Sequence, residues 1–265
     1  MTFAFLKDSD DTWVSDPFAH HPELRGKIAD PHSSFHRSFS VETLTKPFPR
    51  TEGRRSLAFS DVAREADRAK ILAEHGPGDL WVFAYGALMW DPAIRFSEVR
   101  RATVLGYARR FILLEDRGGR GTKQEPGLMA ALDRGDMCQG LIFRIAAEEV
   151  EAETEVLWRR ELIGPGYRSA FVPAHVDGKP IKALSFVADH HAEAIRADLT
   201  RHEQIRCVAQ GAGFLGTSLA HLEDAARQFV RLGIADAECF SLLQEVKDHM
   251  AQGKAAAGDP GSWVN

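Results

Sequence analysis

The residue in this sequence best suited to acid–base chemistry is a glutamate on the apolar stripe of a helix. The segment from about Ala147 to Leu162 places Val150, Thr154, Leu157 and Glu161 at i, i+4, i+7 and i+11, with Trp158 beside them. At about 100° per residue these positions share one stripe. The other face carries Glu151, Glu155, Arg159 and Arg160, where Glu155 and Arg159 form a favourable i,i+4 pair. Glu161 is therefore expected to face the core. It also falls in the last turn, where the helix dipole disfavours a negative charge. Burial and dipole both raise a carboxyl pKa toward the range of a general base or acid. The alternative is a glutamate that snorkels outward or pairs with an arginine. Gly164-Pro-Gly-Tyr167 then ends the helix and brings a phenol close to the same carboxyl.

A second candidate lies in Leu80-Trp-Val-Phe-Ala-Tyr-Gly-Ala-Leu-Met-Trp90. Its first half is a β-favouring apolar run of strand length. At Tyr85-Gly86 the chain must turn, because glycine permits backbone angles and close approaches that other residues resist. Apolar residues resume at once, so the turn belongs to the core. Buried backbone N–H groups without ladder partners need an acceptor. A ligand carboxylate or carbonyl can supply one, which makes Tyr85, Gly86, Ala87 and Leu88 a candidate binding turn. An ordinary buried strand end is the alternative.

Other patterns carry less chemistry. Arg117-Gly-Gly-Arg-Gly, within the Gly-rich stretch 115–127, suits an active-site loop whose arginines meet an anion, with Arg120 among them, or a plain solvated connection. Gly211-Ala-Gly-Phe-Leu-Gly216 follows a helical stretch rather than a strand, so it reads as a turn between helices and not as a dinucleotide fingerprint. Asp189, His190, His191 and His202 make a weak metal set, and no metal is assigned. Ser169, Ser185 and Ser218 lack a nucleophile-elbow setting, and Cys207 has no visible partner.

Composition narrows the classes. The 265 residues suit one large domain or two small ones, and 44% hydrophobic with 27% charged content is ordinary for a globular chain. A net charge of −5 gives no reason to expect a nucleic-acid or anionic-membrane partner. Three scattered cysteines without a C-x-x-C fit reduced thiols and a cytoplasmic location. The opening Met1-Thr-Phe-Ala-Phe-Leu-Lys-Asp turns acidic too early for a secretory signal, and no stretch reaches bilayer length.

The elements that must hold these groups follow from periodicity. Residues 1–55 read as an irregular extension, rich in Pro, His and Ser, that rests on the domain through Trp13, Phe18 and Phe35. A helix with Phe59, Val62, Ala63 and Ala66 on its apolar face, capped by Ser60 and stopped by Gly76, leads into the central strand. Ala102 to Leu114 is a strand bent at Gly106. Leu128 to Leu132 and Gln139 to Ile145 read as a pair joined across Arg134-Gly135-Asp136. Tyr167 to Val176 and Ile181 to Val187 form a hairpin across Asp177-Gly178. Helices follow near Leu199 to Gln210, from Ser218 to Leu232, and from Ala237 to Gln252, the last stopped by Gly253. Strands in the middle with helices at both ends predict an α+β fold with a mixed or mostly antiparallel sheet. Residues 56–253 then form a single domain, and 254–265 a tail.

Three segments together resemble the ChaC-type γ-glutamylcyclotransferases: Val82-Phe-Ala-Tyr-Gly-Ala-Leu-Met-Trp90, Arg120-Gly-Thr with Pro126-Gly127, and Leu157-Trp-Arg-Arg-Glu-Leu with Gly166-Tyr167. They occur in that family's order and approximate spacing, over about residues 80 to 250. The resemblance implies a barrel-like sheet with flanking helices, no cofactor, and cleavage of glutathione to 5-oxoproline and cysteinylglycine. It places the substrate loop at Tyr85, Gly86, Ala87 and Leu88 and the catalytic carboxyl at Glu161. Tyr167 is then either a donor to the oxyanion or a group that orients Glu161. Ala87 departs from the family's usual serine. A non-catalytic γ-glutamyl-binding protein and a cyclotransferase for another γ-glutamyl amine are the alternatives.

Overall fold

The structure, a computed structural model, describes residues 16–38 and 59–257, with side chains to residue 252. Its centre is a closed barrel of five strands: β1 Leu80–Ala84, β2 Glu98–Glu115, β3 Gly127–Ile145, β4 Tyr167–Val176 and β5 Lys179–Ala188. The order around the barrel is β1-β3-β2-β4-β5. Neighbours are antiparallel except where β5 returns to β1, at Val82↔Leu184, and touches β3, at Leu132↔Val187. The expected α+β class with a mixed, barrel-like sheet is what forms.

Alternation along the strands divides the core into clusters. Phe83, Tyr85, Val104, Leu132, Ile142, Val172 and Val187 form one cluster. Val82, Ala84, Leu141, Phe143, Leu184 and Phe186 join a second, larger cluster that includes helix residues. The β4–β5 hairpin turns at Asp177 and Gly178, with φ of 49° and 76°, the left-handed pair that a two-residue loop requires. Gly106, at φ 78°, bulges β2 as expected.

One predicted turn does not exist. Arg134-Gly135-Asp136 lies inside β3, which runs without a break opposite β2, and the real connection between them is 116–126. The Gly106 bulge absorbs the irregularity: Leu105 pairs with Met137 and Tyr107 with Arg134. Gly135 is needed there because a Cβ would lie 2.4 Å from that of Ala108.

The helices are α1 Phe35–Ser38, α2 Asp61–His75, α3 Val150–Glu161, α4 Arg201–Gln210, α5 Ser218–Leu232 and α6 Ala237–Ala257. Ser60 caps α2, its Oγ accepting from Ala63 N at 3.1 Å, and Gly76 closes it. Its buried face is not the predicted one: Val62 is 80% exposed, whereas Arg64, Arg68 and Ile71 are buried. Arg68 can lie inside because Glu65, Glu151 and Thr154 accept from its guanidinium. The Gly211–Gly216 motif makes a small hairpin (β6 Ala212–Gly213, β7 Gly216–Thr217) between α4 and α5. α6 continues through Gly253, so that glycine does not stop it.

Residues 16–38 are irregular apart from two 3₁₀ turns and α1. They are nevertheless packed: Leu24 is buried, Phe18 meets Phe96 at 5.8 Å, and Ala29 N donates to Trp90 O at 2.8 Å. Phe35 is 58% exposed, and Trp13 lies outside the described residues. No described helix is long and apolar enough to cross a membrane.

Candidate active site

The strand β1 ends where the candidate turn begins. Its ladder with β3 stops at Ala84↔Leu141, and Ala87–Met89 form a 3₁₀ turn. Met89 N donates to Gly86 O at 2.9 Å, and Trp90 N and Asp91 N donate to Ala87 O. The N–H groups of Gly86, Ala87 and Leu88 precede these bonds, as at any helix start. Among the described residues no protein acceptor meets them. Tyr85 and Leu88 are buried while Gly86 and Ala87 are half-buried, so the turn has an accessible side. Gly86 has φ −130°, outside the left-handed region, and nothing lies within 4 Å of where its Cβ would be. The glycine therefore leaves room over the turn; it does not relieve strain within it.

Glu161 closes α3, and its side chain is only 16% exposed. Enclosure by protein raises its carboxyl above the usual range, while Arg160, with Nε 3.0 Å from Oε1, pulls the other way. The sequence placed Arg160 on the solvent face. Instead its side chain is 5% exposed, because Asp91 O and Glu161 both accept its charge. Leu162 N closes the helix on Trp158 O, and Gly166 leads into β4 with φ 148°, a conformation suited to glycine. Tyr167 is thereby delivered to the carboxyl.

Two phenols complete the group. Tyr85 Oη donates to Phe186 O at 2.9 Å, and Tyr167 Oη donates to Ala130 O at 2.6 Å. Burial, chiefly, raises both phenols above their usual range, and each also feels the other and the charge of Glu161. The two phenols also hydrogen-bond to each other, and Tyr85 to the Leu132 main chain, so part of their lone-pair capacity is already taken. Tyr85, distant in sequence, thus joins Glu161 and Tyr167 in one electrostatic cluster.

Arg120 stands apart. Its Nη1 reaches Thr217 O at 3.4 Å, and its charged neighbours are Asp224 and Glu115. The histidine set is not gathered either: His190 pairs with Asp133 at 2.7 Å, while His202 packs on His249. The three cysteines are free and buried, with the Cys138 and Cys239 thiols pushed up to about 11 and about 12 by burial.

Sequence patterns match this geometry to known proteins. The family model described as ChaC-like protein matches residues 80–249. The chain belongs to the ChaC-like family. The glutathione-specific γ-glutamylcyclotransferase of Escherichia coli K12 is 33% identical over 199 residues, covering 74% of this chain and 86% of the relative. The enzyme of that name from Schizosaccharomyces pombe is 28% identical and 95% covered, against 65% of this chain. A crystal structure of a yeast γ-glutamyl cyclotransferase specific to glutathione superposes with a TM-score of 0.58 at 20% identity, over 64% of this chain and 96% of that one, which is a likeness of fold. Residues 16–38 lie outside the ChaC-like match, yet they reach it: Arg37 donates to Glu153 of α3 and to Ala93 O.

Two residues of the site were missed in the sequence. Glu153 had a signal, since it falls three residues after Val150 and four before Leu157, on the stripe that carries Glu161. Arg109 donates from Nε to Tyr85 O at 2.6 Å. It had a signal: adjacent strand residues Arg109 and Arg110 must point to opposite faces, so one had to face inward.

Proposed function

We propose that this chain is a glutathione-specific γ-glutamylcyclotransferase with Glu161 as its general base. The observation that carries this is the cluster of Glu161, Tyr85 and Tyr167 beside a turn with unpartnered N–H groups. A γ-glutamyl group is complementary to it. Its α-ammonium suits the carboxylate and the two phenol oxygens, and its carboxylate and carbonyl oxygens suit the N–H groups of Gly86, Ala87 and Leu88.

Glu161 takes a proton from the α-ammonium, and the freed amine attacks the γ-carbonyl carbon of the same residue. A C–N bond forms within the glutamyl unit, which chiefly requires the chain to be held folded. The attacking nitrogen, which still carries two protons, releases one to water; the tetrahedral oxyanion then collapses, the bond to the cysteinyl nitrogen breaks, and Glu161 returns the first proton to that nitrogen. The products are 5-oxoproline and cysteinylglycine. Tyr167 acts in this scheme as an acceptor that orients the amine, since its proton is held by Ala130 O. Arg120, whose neighbours are Thr217, Asp224 and Glu115, has no role in this scheme. The free, buried cysteines support a reducing cytoplasm as the setting.

Incubating the purified chain with glutathione and measuring 5-oxoproline tests the proposal. Turnover of a different γ-glutamyl amine alone would move the substrate and keep the mechanism. Glutathione binding without turnover would make the chain a binding protein.

A further inference from the structure

We infer that Arg109 is the positioning residue of the substrate turn: it orients the Tyr85–Gly86 peptide and so sets affinity for the glutamyl end without touching it. The inference rests on the cyclotransferase reading above. Arg109 lies on β2, and its side chain is wholly buried. Each of its three guanidinium nitrogens has a partner. Nε donates to Tyr85 O at 2.6 Å, Nη2 donates to Gln139 O at 2.8 Å, and Nη1 pairs with the Asp236 carboxylate. The Phe229 ring lies 4.2 Å beneath it. Asp236 is fixed in turn, accepting from Cys239 N at 2.7 Å in the first turn of α6.

The acceptor at Tyr85 matters because of where it stands. Ala84 is the last residue of β1 in the ladder, so Tyr85 has left the sheet. Arg109 takes its carbonyl. In a trans peptide the C=O and the following N–H are coplanar and point in opposite directions. Holding Tyr85 O therefore aims the Gly86 N–H, one of the unpartnered donors of the turn. A cation on the carbonyl also polarises the amide and makes that N–H a stronger donor. The path Asp236–Arg109–Tyr85 O thus ties the helical layer to the substrate turn. A plain structural ion pair needs Asp236 alone.

Substitution at Nε separates the two roles. In an Asp236→Asn background, which leaves no orphan carboxylate, Arg109→Gln and Arg109→Met are equally uncharged. The glutamine amide falls near the position of Nε and can still donate to Tyr85 O; methionine cannot. We expect Met to raise the glutathione KM about tenfold or more over the Asp236→Asn parent, with kcat within about threefold, and Gln to stay within about threefold in both. Glutathione Kd by calorimetry should move as KM does. If the Met variant does not fold, Arg109→Leu in the same background replaces it, equally without a donor to Tyr85 O, with the same rise expected. Equal KM and Kd for the two substitutions, or changes that only follow melting temperature, would overturn the assignment. Should the parent bind glutathione but not turn it over, the cyclotransferase reading fails while Kd still decides the role of Arg109.

Discussion

Helix α3 carries two carboxyl groups that face protein, eight positions apart, and they are treated in opposite ways. Glu153 has no exposed side-chain surface. Burial alone would raise its pKa and is the largest single influence on it. Four donors outweigh that: Arg37 Nη1 and Nη2 at 2.8 and 2.7 Å, Arg95 N at 2.8 Å and Arg95 Nε at 2.7 Å, and the net shift is downward. Glu161, slightly more open, has only Arg160 among the described residues, which it shares with Asp91 O, and its shift is upward. Burial does not by itself make a working base. A carboxylate whose lone pairs are all taken is a rivet, and one left short of donors has basicity to spend on a substrate.

The largest expected effect breaks the Glu161 end. Glu161→Gln should lower kcat by about 10²–10⁴-fold and leave glutathione Kd and the fold nearly unchanged, because an amide cannot take the amine's proton. Activity within a few-fold of the parent would put the base elsewhere. Glu153→Gln is the complement. It strands two arginines and should cost about 3–5 kcal/mol of stability by urea denaturation. The folded fraction should keep its turnover.

Acid sharpens the same contrast. The folded pKa of Glu153 is depressed, so its contribution is present above the unfolded pKa and is lost as pH falls through the folded value. The acid unfolding of the parent should contain a step that Glu153→Gln lacks. The pKa of Glu161 is raised, so kcat/KM should fall on an acid limb lying above the ordinary carboxylate range. Arg160 holds that value down, so Arg160→Met should move the limb to higher pH. A limb that stays still or moves down would remove Glu161 from the rate profile.

The smallest effect concerns the donors of the Gly86 turn. The 3₁₀ turn at Ala87 is closed by main-chain bonds, with no side-chain cap. Ala87→Ser should therefore change kcat/KM by no more than about 1 kcal/mol in either direction. A hundredfold gain would mean that the turn needs a hydroxyl and that the chain is a weakened catalyst.

Much of this was legible before the fold was seen. Glu161 declared itself because an acidic residue on an apolar stripe in a last turn is a local anomaly, and Asp177-Gly178 because a two-residue loop demands left-handed angles. Arg134-Gly135-Asp136 misled because its composition is that of a turn, while only pairing with a distant bulged strand makes it part of β3. Glu153 shares the apolar stripe of Glu161, but its pairing with Arg37, far away in the chain, was not legible, and the buried face of α2 depends on acceptors in α3 for Arg68.

Carboxyl carbon NMR titration of Glu161 and Glu153 in the folded protein tests the division of labour between them most directly. The account predicts that Glu161 titrates above the ordinary glutamate range, at the pH of the acid limb of kcat/KM, and that Glu153 titrates below that range. Glu161 titrating at or below Glu153, or away from the acid limb, would contradict it.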